Sequence, residues 1–314
     1  MKRKVTLHGP STLSVSLPLE WAKKHNIKKG EELEVIEERD AIRILAENND
    51  GQKKECTIKL PELEARPILF LLRTLYIAGY DKIILEYEQT TAWHSRKNLV
   101  MTMPSLIAYE IKRLRGFEIM SITKNSCTIK SLIRESTEEF DDSMKRVFLL
   151  LKETTNDLPT IIIKGQPQLR QYAQDFHDHI TVLLAYNLRT LNKIGYNNRR
   201  TTLCLHSFLY KLDDIIDLIK YMLVEMDGKL PLKNKEILHI TTEFASLFEK
   251  ISKLYNKFSL ENAQDFFAYK YKLLTRINTL FGSTSKNERR YLHYLEDVLE
   301  EMLKLCIARM AMEY

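Results

Sequence analysis

At 314 residues, with 44% hydrophobic and 29% charged side chains, the chain has the make-up of an ordinary globular protein of two or three domains, which excludes a disordered or fibrous class. A net charge of +6 is compatible with an acidic partner such as nucleic acid. The longest apolar runs, such as 68–72, meet a charge within a turn, well short of the ~18 consecutive apolar residues of a membrane span, so no membrane insertion is expected.

From the start of the chain, Leu13, Val15 and Leu17 alternate with Thr12, Ser14 and Ser16, a period of two that predicts a half-buried strand over 12–17. A strand at 3–7 precedes it across a Gly9-Pro10 turn. Pro18 ends the second strand and opens a short helix over 18–26, with Trp21 and Ala22 inward and Lys23 and Lys24 outward. Lys29-Gly30 makes a turn, and strands follow at 32–37 and 41–45. A unit this small buries too little apolar surface by itself, so we expect it to complete its core with a second copy.

Charge is polarised along this unit. Residues 1–30 hold Lys2, Arg3, Lys4, Lys23, Lys24, Lys28 and Lys29 against the single acid Glu20. Residues 31–50 hold only Arg39 and Arg43 against eight acids. The cations neutralise phosphates and release counterions, and the loop hydroxyls of Ser11 and Thr12 hydrogen-bond phosphate oxygens or base edges. These nine residues are the candidate DNA contacts. The stretch from Ser16 to Val35 resembles the swapped-hairpin DNA-binding domain of the AbrB/MazE/SpoVT type in its order of strand, proline, short helix with inward Trp, Lys-Lys-Gly turn and acidic strand. The resemblance implies a domain over 1–48 in which two copies interleave hairpins into one small barrel, giving a homodimer that docks on DNA.

A polar linker follows at 47–54. Residues 55–132 then read strand, helix (67–78), strand (83–87), an ambiguous stretch at 90–103, helix (104–115) and a hairpin of strands at 117–123 and 126–131, a small α/β module. From Glu135 the period becomes helical, with helices marked at about 140–151, 169–191, 201–226, 238–258, 262–281 and 287–312. They divide into two three-helix bundles over 135–228 and 232–314. The expected fold class is multidomain and mainly α, with a β-rich N-terminus.

Two helices each carry carboxylates four apart, Asp213 with Asp217 and Glu296 with Glu300, so each pair projects from one helix face. His177 and His179, two apart, point to different faces and do not chelate together. The helices carrying the acids, and Glu139 to Lys152, resemble the PhoU family of phosphate-signalling proteins, with Glu300 standing where that family has Asp. With the hairpin domain in front, the chain resembles archaeal PhoU-like regulators. The resemblance implies a role in phosphate homeostasis, a divalent metal or iron/zinc cluster at the acidic pairs, and a phosphate transporter or signalling protein as partner.

Cys56, Cys127, Cys204 and Cys306 are far apart with no Cys-x-x-Cys pair, as in reduced thiols of a cytoplasmic protein. The basic N-terminus lacks a following apolar core, so no signal peptide is expected. Nucleotide-loop, nucleophile-elbow and zinc-protease motifs are missing, and no enzymatic activity is expected. The reading is a cytoplasmic dimeric transcriptional regulator. The alternative is an adaptor that dimerises through the hairpin and binds a transporter or sensor kinase without touching DNA.

Overall fold

The computed structural model describes residues 2–38, 41–46 and 53–314. The chain divides into two compact units, residues 1–54 and 55–314. Most of the expected linker, 47–52, and Arg39, Asp40, Glu47 and Asp50 of the acidic stretch lie outside the described residues.

The first unit holds two hairpins and one short helix. Strands β1 (Val5–His8) and β2 (Thr12–Val15) pair antiparallel, with Val5 opposite Val15 and Leu7 opposite Leu13. The pleat puts these four on one face and Thr6, His8, Thr12 and Ser14 on the other. Across the polar face the hydroxyls of Thr6 and Ser14 hydrogen-bond at 3.0 Å. Helix α1 (Leu19–Lys24) starts directly after Pro18, whose extended backbone leads into it. Strands β3 (Leu33–Glu38) and β4 (Ala41–Ala46) form the second hairpin. Among the described residues no ladder joins the two hairpins. Trp21 is half-buried and leans on His25, with ring centroids 5.0 Å apart.

The second unit begins with β5 (Glu55–Lys59), α2 (Ala65–Ile77) and β6 (Lys82–Glu86), a parallel pair joined by a helix. The ambiguous stretch is a hairpin of β7 (Thr91–His94) and β8 (Leu99–Thr102). Helix α3 (Met103–Ile111) follows, started by the Thr102 side chain accepting from the Ser105 amide. Strands β9 (Phe117–Ile122) and β10 (Ser126–Ser131) complete a four-stranded sheet of order β5-β6-β10-β9. Ile83 and Leu85 of β6 and Cys127 and Ile129 of β10 face one core with Ile68 and Leu72 of α2. Gly116 turns α3 into β9 at φ +76°, and a Cβ there would lie 2.4 Å from the Ile133 side chain, so only glycine fits.

Six long helices follow: α4 (Thr137–Lys164), α5 (Leu169–Lys193), α6 (Arg199–Met226), α7 (Lys235–Asn256), α8 (Leu260–Leu280) and α9 (Lys286–Glu313). Side-chain caps start five of them: Ser136, Asn198, Asn234, Ser259 and Ser285. Each set of three packs in sequence, and the sets join first to first and third to third, α4 on α7 and α6 on α9. One apolar core runs through all six. The sheet layer shares its own core with Ala185 of α5 and is tied to that helix by Arg189. Arg189 is fully buried and donates to the carbonyls of Tyr76 (2.9 Å) and Tyr80 (2.7 Å), and to the carboxylates of Asp81 (2.9 Å) and Glu135 (2.5 Å).

Among the described residues no helix is long and apolar enough to cross a membrane. No disulfide joins the four cysteines, and burial pushes the thiols of Cys127 and Cys306 up to about 11.

Candidate functional site

The seven candidate DNA-contact cations of the first unit are solvent-exposed. Lys2, Arg3 and Lys4 lead into β1, Ser11 and Thr12 sit at the β1–β2 turn, and Lys23 and Lys24 end α1. Lys28 and Lys29 sit in the next turn, where the Lys28 amide donates to the Glu31 carboxylate at 2.8 Å. That bond fixes the turn through the backbone and leaves the Lys28 ammonium outside it. Among the described residues none of the seven cations is held in a salt bridge. Their charge is available to a polyanion.

The apolar face of the β1–β2 hairpin is bare. Val5, Leu7, Leu13 and Val15 are 52–70% exposed, and Leu19, Val35 and Ile42 are 60–69% exposed. So much exposed apolar surface in so few residues marks an interaction face.

The acidic pairs sit in different surroundings. Asp213 and Asp217 of α6 face α5: His177 Nε2 donates to Asp217 at 3.0 Å, and Nδ1 lies 2.9 Å from Asp178. Asp178 also accepts from Arg113, just past α3, at 2.6 Å and from Gln174 at 2.7 Å. Buried Lys220 holds Asp217 from the same helix. Burial opposes charge on Asp178 and Asp217, but the hydrogen bonds from His177 and the cations beside them outweigh it, and both carboxyls fall to about 2. Asp213 goes the other way: burial, and then the neighbouring Asp217, raise its pKa. In the second bundle Glu300 accepts from Lys270 Nζ at 2.9 Å, and Lys270 is fully buried. Glu296 has His293 Nδ1 at 3.5 Å.

In each bundle the second acid of the pair is thus bonded to a buried lysine. A metal ion would have to displace that ammonium, and these carboxylates do not fit a metal centre as they stand. Among the described residues no group of three or more His, Cys, Asp or Glu side chains is arranged to hold a metal ion. The first pair is held by His177 of α5 and Lys220 of α6, and the second by Lys270 of α8 with His293 of α9. His177 and His179 diverge, one buried against the acids and the other exposed. The sequence does not single out Lys220 and Lys270, although Lys220, three residues past Asp217 on the same helix stripe, is the available signal.

Residues 9–52 match the family described as "Antidote-toxin recognition MazE, bacterial antitoxin". No curated protein and no solved structure matches the chain. The N-terminal unit is a MazE/AbrB-type domain, in agreement with the order of elements from Ser16 to Val35. This domain is consistent with a DNA-binding regulator.

Proposed function

We propose that the protein is a dimeric transcriptional regulator that works by binding rather than by turnover. Two N-terminal units cover each other's bare hairpin faces and present a doubled set of Lys2, Arg3, Lys4, Lys23, Lys24, Lys28 and Lys29 to DNA phosphates, with Ser11 and Thr12 at the turn. The observation that carries this is the pairing, in the N-terminal unit that contains the family match at 9–52, of surface cations held in no salt bridge among the described residues with an exposed apolar face. The six-helix part is the input end: a partner or effector there shifts the placement of the two DNA-binding arms. Phosphate homeostasis as the regulated process, and a PhoU-like nature of the helices, rest on the resemblance of the acidic helices alone. Cysteines joined by no disulfide and a DNA partner suit the cytoplasm.

The test is a genome-wide map of bound DNA with and without phosphate starvation. Discrete bound sites whose occupancy changes on starvation support the whole reading. Discrete sites indifferent to phosphate keep the regulator and remove its phosphate role. No bound sites under either condition removes the regulator in favour of the adaptor.

A further inference from the structure

A cavity of about 520 Å³ opens between α4 and α5, away from both acidic pairs. Its size suits a small organic ligand. Helix α4 gives it one face, Glu139, Asp142, Ser143 and Arg146, at the i, i+3, i+4, i+7 spacing that stacks side chains along one stripe. Helix α5 gives His179, Val182 and Leu183 at the matching spacing, and Arg115, between α3 and β9, closes one end.

Ser143 is the telling residue. It is 4% exposed, lines the cavity, and its hydroxyl has no hydrogen-bond partner. Thr155, farther along the same helix, satisfies its hydroxyl on the Leu151 carbonyl at 2.8 Å. Ser143 does not, and buried hydroxyls are as a rule bonded. The acids of the cavity already have partners. Asp142 accepts from Lys145 at 2.8 Å, and Glu139 accepts from the Tyr186 hydroxyl at 2.8 Å and pairs with Arg115 at 3.3 Å. Arg115 is further fixed over the Tyr186 ring, 4.6 Å from its centroid. Arg146 and His179 enter no salt bridge among the described residues. The unused bonding capacity is one buried hydroxyl, one guanidinium and one imidazole, with a second guanidinium held rigid nearby. That set recognises an oxyanion with bidentate geometry, and the cavity is too large for an inorganic ion alone.

We infer that the groove between α4 and α5 binds a small organic phosphate of mononucleotide size. The phosphate lies against Ser143, Arg146 and His179. The organic part lies on Val182 and Leu183, with its hydroxyl or amine donors toward Asp142 and Glu139. The site stands whether or not the N-terminal unit binds DNA. Arg115 comes from the sheet layer and the other residues from the helices, so a ligand here bears on the joint between them.

The test is calorimetric titration of the full chain with AMP, adenosine and inorganic phosphate at physiological salt. AMP binding, weaker binding of inorganic phosphate and no binding of adenosine are the expected result. Arg146→Ala is expected to weaken AMP roughly tenfold or more, because a charge-assisted contact to phosphate is lost. Ser143→Ala should weaken AMP while keeping the helical circular dichroism and the unfolding midpoint at or above the parent's. Absence of AMP binding overturns the inference. So does adenosine binding as tightly as AMP, or AMP binding unchanged by Arg146→Ala, which would place the phosphate on other cations.

Discussion

Arg189 Nη2 donates to Asp81 across 2.9 Å, joining the long helix α5 to the turn that leads into β6. Asp81 and Glu135 flank the same guanidinium, and Lys193 Nζ reaches both acids, at 2.6 and 2.8 Å. The sheet layer and the helices are therefore joined by a buried ionic node as well as by apolar packing. Replacing Arg189 by Met leaves the Glu135 carboxylate, 2% exposed, and two carbonyls short of donors. A loss of about 3–5 kcal/mol is expected, because breaking a buried pair strands its partner. Arg189→Lys should recover only a minor part, since one ammonium does not reproduce a planar fork that serves four acceptors. Urea unfolding measures both, and a methionine variant as stable as the parent would contradict the role of the node.

A second node gives a pH signature. Burial opposes the charged form of His177, yet its hydrogen bonds to Asp178 and Asp217 prevail and its pKa is raised. A raised histidine pKa contributes stability below the ordinary value of ~6.5, and that contribution is lost as pH rises through the folded value. Asp178 and Asp217, at about 2, contribute above the ordinary carboxylate range and lose that contribution as pH falls toward about 2. The deficit of His177→Gln relative to the parent is therefore expected to be largest near pH ~5 and to shrink on the alkaline side. Unfolding midpoints of the two proteins across pH check it, and a deficit that grows with pH would contradict it.

The bare hairpin face makes an oligomer prediction. Leu7 and Leu13 lie opposite each other, 67% and 70% exposed. Leu7→Asp with Leu13→Lys removes apolar area from the face without disturbing the ladder. The parent is expected to sediment as a dimer and the double variant as a monomer with unchanged helix content. A parent that is monomeric at tens of micromolar, or a variant that still dimerises, would place dimerisation elsewhere.

Asn187 of α5 is fully buried with both amide atoms unpartnered. Leu has the same branched heavy-atom skeleton, with bulkier methyl ends, and no polar atoms to strand. Asn187→Leu is expected to raise stability by ~1–3 kcal/mol, the cost of leaving a buried polar group unsatisfied. Thermal unfolding reads it directly, and a destabilised variant would show that the amide is bonded in solution.

Much of the local structure is legible in the sequence because it is written in local chemistry. The helix starts at Ser136, Asn198, Asn234, Ser259 and Ser285 carry their own capping oxygens. The stretch 90–103 is not legible because Leu99, Val100 and Met101 run apolar without the alternation of a half-buried strand, with the turn made at Asn98 (φ 53°). The DNA-contact candidates could be read from charge order along the chain. The Arg189 node and the groove around Ser143 could not. Arg189 gathers partners more than 100 residues away, and Ser143 matters only because α5 and Arg115 are brought to it by the fold. The acidic pairs were legible as pairs, but not the buried lysines that hold them, since Lys270 meets Glu300 from another helix.

The most direct measurement of the central claim is the salt dependence of DNA affinity for the full chain, parent against the combined Lys2→Ala, Arg3→Ala and Lys4→Ala variant. Each lost phosphate contact lowers the slope of log affinity on log salt by roughly 0.9. The account predicts that the parent binds duplex DNA at low salt with a steep slope, and that the variant binds more weakly with a slope flatter by a few units. No affinity in the parent even at low salt, or a variant with the parent's affinity and slope, would contradict it.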